Sequence, residues 1–258
     1  MSEFVTTRLE IEETALTISS DRRHVPVAVD AVKQARRDIE RQIRRDRFFL
    51  TTLEPYDTKA CSSEITARMC DASRLAGVGP MATVAGAIAQ AAVEAMVAAG
   101  SKHSWVDNGG DIALILDRPA TIEIFTAPGA SKASAFSLDS TEGVIGICSS
   151  SGRLGHSISF GDSDVAIAIA DDALVADAFA TALGNRVKTR ESLSSCFDVF
   201  KGVREVRGGL AMIDGAVALY GAVPDLVEVD HNPDRLTLHT AMASSRFTGR
   251  KTSQELRA

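Results

Sequence analysis

The sequence is poor in aromatic residues, and its cysteines lack the spacing of a metal site. Aromatic residues make up 5% of the 258 residues, while hydrophobic residues reach 45% and charged residues 24%. A chain of this length buries a sizeable core without disulfide cross-links. No CxxC pair and no Cys/His pairing at zinc spacing occurs, so we expect free, reduced thiols at each cysteine: Cys61, Cys70, Cys148 and Cys196.

The chain also lacks the marks of nucleic-acid-binding, exported and membrane-spanning proteins. Its formal net charge of -6 and its pI of about 5.4 argue against a general nucleic-acid binder. The N-terminus has no basic start followed by an apolar core, so we expect no signal peptide and a cytoplasmic location. The longest apolar run, 81–100, is interrupted by Thr83, Gln90 and Glu94 and falls short of a membrane span.

Strand patterns occur at the start, middle and end of the chain, and helical patterns gather in two blocks. Because hairpins outnumber strand–helix–strand crossovers, we expect an α+β fold with a mainly antiparallel sheet and two blocks of long helices. We predict one domain over 1–243 and a polar, fraying tail over 244–258. Strands are predicted at 5–11, 15–18, 105–106, 112–116, 121–126, 144–149, 164–170, 209–213, 216–220 and 226–230, and helices at 27–47, 63–75, 81–99, 192–203 and after Asp171-Asp172.

The stretch 143–185 gathers polar residues where a strand, a turn, a strand and a helix meet. Asp171-Asp172 precedes the helix as an N-cap, where the helix dipole favours acidic charge. Asp177 and Thr181 then stand four residues apart, which places a carboxylate and a hydroxyl on one helix face. Both are oxygen ligands that Mg²⁺ prefers when a phosphate completes its shell. A local hydrogen bond between the two side chains is the alternative, and spacing alone favours it.

Three other segments carry glycine or polar residues that suit a ligand. The turn 77–86, GVGPMATVAG, leads into a helix N-terminus and is either a phosphate site or a tight helix–helix corner. The segment 107–111, DNGGD, interrupts a strand pattern and indicates a bulge, a close approach to a ligand or a hairpin turn. The turn 149–153, SSSGR, precedes His156, which is either a general base or phosphate ligand, or a surface histidine.

Taken in order, four blocks resemble the successive motifs of the ApbE superfamily. They are VGPMATVAGAIA (78–89), VDNGGDIAL (106–114), SSSGRLGHSISFG (149–161) and ADAFATALGN (176–185). That superfamily contains the FAD:protein FMN transferases, and the closer match is to its UPF0280 branch. The resemblance spans roughly residues 45 to 230. The ordered set is specific, although each block alone is not.

The resemblance implies a T-fold-like domain with a site for a flavin nucleotide or another small anionic ligand. It implies a Mg²⁺-dependent enzyme that transfers FMN from FAD to a flavoprotein acceptor or hydrolyses the FAD pyrophosphate. Asp177 and Thr181 are then the metal ligands, and His156 and Asp177 the catalytic residues. No nucleic acid or membrane partner is expected, and a homodimer stays open. The residues implied to bind the cofactor are Gly77, Gly79, Pro80, Met81, Ala82, Gly86, Asn108, Gly109, Gly110, Asp111, Ser150, Ser151 and Gly152.

Two departures from the transferase motifs leave other functions open. The transferases carry a lysine where this chain has Ala85, so a cation expected near the phosphates is missing. Their His-His-Ile-x-Asp-Pro segment is reduced here to the residues 155–159, GHSIS. One alternative is a cytosolic enzyme on the same scaffold that acts on another small anionic or heterocyclic metabolite. The other is a non-catalytic binding or assembly protein for a flavoenzyme.

Overall fold

A computed structural model describes residues 3–12, 14–125, 131–151 and 161–230. Within these residues the α-helices are α1 (Val25–Arg45), α2 (Phe48–Thr51), α3 (Glu64–Ala76), α4 (Val84–Ala98) and α5 (Ala173–Arg186). The strands are β1 (Phe4–Ile11), β2 (Thr14–Asp21), β3 (Ser104–Asp107), β4 (Asp111–Ile115), β5 (Ala120–Phe125), β6 (Lys132–Leu138), β7 (Ile145–Ser150), β8 (Val165–Ala170), β9 (Val206–Ile213), β10 (Ala216–Gly221) and β11 (Asp225–Asp230).

The strands form two antiparallel sheets. The large sheet has eight strands in the order β1-β2-β3-β4-β7-β8-β9-β10, and the small sheet has three in the order β11-β6-β5. Each paired strand in both sheets runs antiparallel to its neighbour. The helices cover one face of the large sheet, and the small sheet packs on the other. The predicted α+β fold with an antiparallel sheet and two blocks of helices is confirmed.

The strand patterns form where local signals are strong. β8 is buried at every position, as the predicted strand packed on both faces requires. The β9–β10 hairpin turns at Asp214 and Gly215, whose φ angles of 49° and 76° suit a tight two-residue turn. Asp172 is the N-cap of α5, and its side chain accepts a hydrogen bond from the backbone N–H of Leu174 at 2.6 Å.

Two parts of the chain differ from the prediction. The strand β6 was not predicted, because its sequence KASAFSL consists largely of small residues; it forms because Phe136 and Leu138 are buried between the two sheets. The helix predicted at 192–203 is instead two short 3₁₀ helices, Glu191–Ser194 and Cys196–Phe200. Ser192 explains part of this, since its hydroxyl accepts hydrogen bonds from the Lys188 and Thr189 amides and so competes with an α-helix.

Helix α4 lies in the core of the helical layer. Among the described helices, the stretch Pro80–Ala98 is long and apolar enough to cross a membrane, but 50% of it is buried within the fold. α4 contacts α1 and α5 on its flanks and β3 and β4 of the large sheet. These contacts account for its apolar sequence as that of a core helix. The predicted domain end at 243 and the tail 244–258 lie outside the described residues and stay a prediction.

Candidate functional site

Asp177 of α5 points at the first turn of α4. The Gly86 amide donates a hydrogen bond to Asp177 Oδ2 at 2.8 Å. Thr83, which precedes α4, makes no capping hydrogen bond with its side chain, so Asp177 supplies the negative charge that a helix N-terminus favours. A side chain at Gly86 would not fit, because its Cβ would lie 2.3 Å from the Ala173 carbonyl oxygen and 2.9 Å from Asp177 Cβ. Glycine therefore sets the distance between the two helices.

The Asp177 carboxyl is buried, with 8% of the residue exposed. Burial raises its pKa to about 7, although hydrogen bonds from the Gly86 and Ala85 amides act in the opposite direction. A carboxyl in this state takes up or releases a proton near neutral pH, and a nearby cation would favour the ionised form.

A second buried carboxyl, Asp111, begins β4 and lies opposite Cys148 of β7. Burial raises its pKa well above the usual range, and the charges of Asp177 and Asp107 raise it further. Its Oδ1 atom is buried and has no hydrogen-bond partner. Because buried polar atoms are normally paired, this oxygen is suited to a cation or donor brought by a ligand.

The segment 107–111 is a tight turn between β3 and β4 that also contacts α4. Asp107 accepts a hydrogen bond from the Gly110 amide at 2.8 Å, and the Asn108 amide donates to the Asp111 carbonyl at 3.0 Å. The Asn108 side chain donates to the Ala85 carbonyl at 3.1 Å. Gly109 and Gly110 have φ angles of 72° and 106°, which side-chain-bearing residues rarely adopt. Of the three readings left open by the sequence, the hairpin turn is the one observed.

The end of β7 brings serine hydroxyls to the same turn. Ser149 donates a hydrogen bond to the Gly110 carbonyl at 3.1 Å. The Ser150 hydroxyl is buried, has no hydrogen-bond partner and lies against Gly184, whose Cβ would be 3.2 Å from it. Ser151 ends the described part of this segment and is half-buried. Two buried oxygens without partners, on Asp111 and Ser150, therefore belong to neighbouring strands.

Thr181 follows Asp177 by one turn of α5 and is half-buried. Helix geometry places the two side chains on one face, as predicted. Within the described ranges, no group of three His, Cys, Asp or Glu side chains is arranged to hold a metal ion. A cation at this position would therefore rely on hydroxyl and ligand oxygens in addition to carboxylates.

The remaining predicted residues of the 77–86 turn have structural contacts. Gly77 ends α3 in the left-handed conformation with φ of 70°. Gly79 packs on the preceding connector, because its Cβ would lie 2.0 Å from the Thr52 carbonyl oxygen. Pro80, Met81 and Ala82 form a 3₁₀ turn that leads into α4. Of the predicted residues in this turn, Gly86 donates a hydrogen bond to Asp177, and the amide of its neighbour Ala85 acts on the same carboxyl.

The Cys148 thiol lies beside the site and was not among the residues predicted from sequence. Cys148 is buried beside Asp111, its thiol donates to the Ala173 carbonyl at 3.4 Å, and burial raises its pKa well above the usual range. No local pattern indicates this position, because it follows from the register of β4 and β7. Gly152 and His156 lie outside the described residues, so the catalytic role of His156 stays a prediction.

Comparison with known proteins identifies the family. A family model described as AbpE bacteria matches residues 2–196. A UPF0280 protein of Methanocella arvoryzae is 43% identical over 232 residues, which cover 90% of this chain and 95% of the relative. A UPF0280 protein of Archaeoglobus fulgidus is 41% identical over 236 residues, covering 89% and 97%. The chain belongs to the UPF0280 branch of the ApbE superfamily.

Solved structures show that this chain has the fold of the flavin transferases. The flavinyl transferase ApbE of Pseudomonas stutzeri superposes with a TM-score of 0.55 at 12% identity, covering 84% of this chain and 94% of that one. The flavin transferase ApbE of Vibrio cholerae gives a TM-score of 0.53 at 13% identity, covering 86% and 98%. The resemblance of the four sequence blocks to the ApbE superfamily is thereby confirmed at the level of family and fold.

Proposed function

We propose that this protein is a Mg²⁺-dependent enzyme that acts on FAD, by transfer of FMN to a protein or by hydrolysis of the pyrophosphate. The observation that carries the proposal is a pair of buried carboxyls, Asp111 and Asp177, whose pKa values burial raises and whose charges interact, with Asp111 Oδ1 left without a hydrogen-bond partner. Such a cluster is unfavourable when empty of cations, and it is typical of functional sites. Membership of the ApbE superfamily supports a flavin nucleotide as the ligand.

The residues present fit a magnesium–pyrophosphate ligand. Asp177 and Thr181 would hold the metal, and Asp111 Oδ1 offers a further buried oxygen without a partner. A bound Mg²⁺ supplies charge neutralisation at the pyrophosphate, so that AMP can depart. Carboxylate and hydroxyl oxygens are the ligands that Mg²⁺ prefers.

The chain's own groups orient the ligand around that position. Gly109 and Gly110 present backbone without side chains next to the carboxylates, which allows close approach of a phosphate. The Ser150 hydroxyl, which has no protein partner, is free to donate to a phosphate oxygen. The Gly86 amide holds Asp177 in place, since it binds one carboxylate oxygen. His156 is proposed as the base that takes the proton of the acceptor threonine hydroxyl or of water.

A second candidate function rests on the first turn of α4. Ala85 stands where the transferases carry a lysine, and the adjacent Gly86 amide is already bound by Asp177. Both features reduce the positive potential that favours pyrophosphate binding at this helix N-terminus. The second candidate is therefore an enzyme on the same scaffold whose substrate is a less charged anionic or heterocyclic metabolite. Either function would be exercised in the cytoplasm.

The test is AMP release from FAD by the purified protein, with and without Mg²⁺. We expect AMP release in the presence of Mg²⁺. Asp177→Asn should release much less AMP, because Asn keeps the shape of the side chain and removes its charge. Asp139→Asn is the matched control, because Asp139 is exposed in the loop between β6 and β7. Absence of AMP from correctly folded protein, with or without a flavoprotein acceptor, would contradict the proposal.

A flavin titration separates the two candidates. Quenching of FAD fluorescence that requires Mg²⁺ and is lost in Asp177→Asn supports the flavin nucleotide as ligand. If FAD does not bind, while crystals soaked with a metabolite mixture hold a non-flavin compound in contact with Asp111 or Asp177, the second candidate is favoured. Stable co-purification of a flavoenzyme without turnover would instead indicate an assembly role.

A further inference from the structure

Two cysteines that are not part of the candidate site lie in direct contact. The sulfur of Cys61 lies 3.0 Å from the sulfur of Cys70. A disulfide bond is about 2.0 Å long, so the two atoms need to approach by only about 1 Å to bond. Cys61 follows a short 3₁₀ turn and is half-buried, whereas Cys70 is buried in α3. We propose that Cys61 and Cys70 form a redox-active dithiol that is oxidised to an intramolecular disulfide by small-molecule disulfides.

The backbone around Cys61 is held in place by the side chain of Gln42. Gln42 is fully buried on α1; it donates to the Ala60 carbonyl at 3.2 Å and accepts from the Ser62 amide at 2.8 Å. These two bonds flank Cys61 on both sides. A second tie joins the same segment to α3, because the Thr58 hydroxyl donates to Asp71 at 2.9 Å. The proximity of the sulfurs therefore rests on fixed neighbours and not on a free loop.

The surroundings favour a dithiol over a metal site. Within the part of the chain that the structure describes, no third His, Cys, Asp or Glu joins this pair in a group that could hold a metal ion. A tetrahedral zinc site needs four ligands, and a pair of thiols supplies two. The Cys61 thiol also donates to the Thr66 carbonyl at 3.3 Å. The other two thiols donate to carbonyls, Cys196 to Leu193 and Cys148 to Ala173, and no sulfur–sulfur contact is seen for them among the described residues.

The two sulfurs have different roles in the oxidation. Cys61 is the more accessible thiol, so its thiolate attacks one sulfur of the oxidant, forms a mixed disulfide and expels a thiolate that takes up a proton. Burial raises the pKa of Cys70, which keeps it as a thiol until the mixed disulfide stands next to it. Cys70 then loses its proton and attacks Cys61 sulfur, and the second small thiol leaves. Two protein thiols are oxidised, and one small disulfide is reduced to two thiols.

The test uses oxidised glutathione as the probe on the native, full-length chain. After incubation the protein is denatured, alkylated with iodoacetamide and weighed by mass spectrometry. We expect two fewer alkylated cysteines than in the reduced protein, and a cross-linked peptide that joins residues 61 and 70. The disulfide closes a loop of about ten residues, so we expect the Tm to rise by roughly 5–10 °C and to return after reduction.

Two variants keep the result interpretable. Cys61→Ser changes a half-buried residue and should abolish both the loss of two alkylation sites and the Tm shift. Cys196→Ser is the matched control, because Cys196 is a buried cysteine outside the pair, and it should retain both effects. The proposal is overturned if all cysteines stay alkylated under excess oxidised glutathione, if a mixed disulfide accumulates at Cys61, or if the product is a cross-linked dimer.

Discussion

Replacing Asp177 by Asn should change how the stability of the protein depends on pH. The folded-state pKa of about 7 exceeds the ordinary value of 3.8, so the folded protein binds this proton more tightly than the unfolded chain. At pH values between these two, the folded protein holds this proton and the unfolded chain has lost it. The free energy of unfolding therefore falls as the pH rises. The shift of about three pKa units corresponds to a loss on the order of 4 kcal/mol across this window.

The effect is large enough to measure, because the free energy of unfolding of a typical domain is about 5–15 kcal/mol. The assay is guanidinium unfolding with EDTA present at several pH values from about 4.5 to 8, which covers most of the window between the two pKa values and extends above the higher one. Wild-type protein should lose stability over this range, and Asp177→Asn should lose less by the contribution of Asp177; the buried Asp111, whose pKa is also raised, accounts for the remaining slope. Asp139→Asn, an exposed control, should follow the wild type.

Mg²⁺ provides a second signature of the same residue. Metal binding requires the ionised carboxylate, so Mg²⁺ should stabilise the wild-type protein more at pH 8 than at pH 5 (roughly, one unit or more on either side of neutrality). At a concentration of about one hundred times Kd the gain is about 2.7 kcal/mol. Asp177→Asn should show no gain. Parallel stability curves for wild type and Asp177→Asn, with equal responses to Mg²⁺, would refute the reasoning.

Three other substitutions test the packing and the cap of the site. Gly86→Ala should destabilise the protein by about 1–3 kcal/mol in thermal unfolding, because the added Cβ would clash with the Ala173 carbonyl and this outweighs the better helix propensity of Ala. The control Gly143→Ala should change the stability by no more than about 0.5 kcal/mol, because a Cβ there has no neighbour within contact distance. Ser150→Ala should leave the stability unchanged and weaken FAD binding in a fluorescence titration, because the Ser150 hydroxyl has no partner in the protein. Ser149→Ala should lower the stability by about 1 kcal/mol, because it removes the hydrogen bond to the Gly110 carbonyl. A loss of stability in Ser150→Ala would show that its hydroxyl is paired. Asp172→Ala should lower the free energy of unfolding by about 1–2 kcal/mol in urea. Asp172→Asn should lower it less, because Asn keeps the N-cap of α5 and loses only the ion pair with Arg68. Equal losses in the two variants would assign the effect to the ion pair.

Local sequence determined the elements whose signals lie within a few residues. The hairpin at Asp214-Gly215, the cap at Asp172 and the strand β8 form as predicted, because turn chemistry, capping and periodicity depend on neighbouring residues. The order of the four blocks was enough to predict the family and the fold. The strand β6 differs from the prediction because packing against distant residues outweighs a weak local preference. The two 3₁₀ helices differ in part because the Ser192 hydroxyl binds nearby amides and competes with an α-helix.

Tertiary structure determined which residues of the four blocks are in contact and how the pKa of Asp177 is shifted. The Gly86–Asp177 hydrogen bond joins residues 91 apart in the sequence, and the Ser149–Gly110 hydrogen bond joins residues 39 apart. Such contacts follow from sheet register and from the close approach of α4 and α5, which no short motif encodes. The raised pKa of Asp177 has the same origin, because burial by distant elements outweighs the opposing hydrogen bonds from the Gly86 and Ala85 amides. The sequence spacing alone indicated only a helix face shared with Thr181.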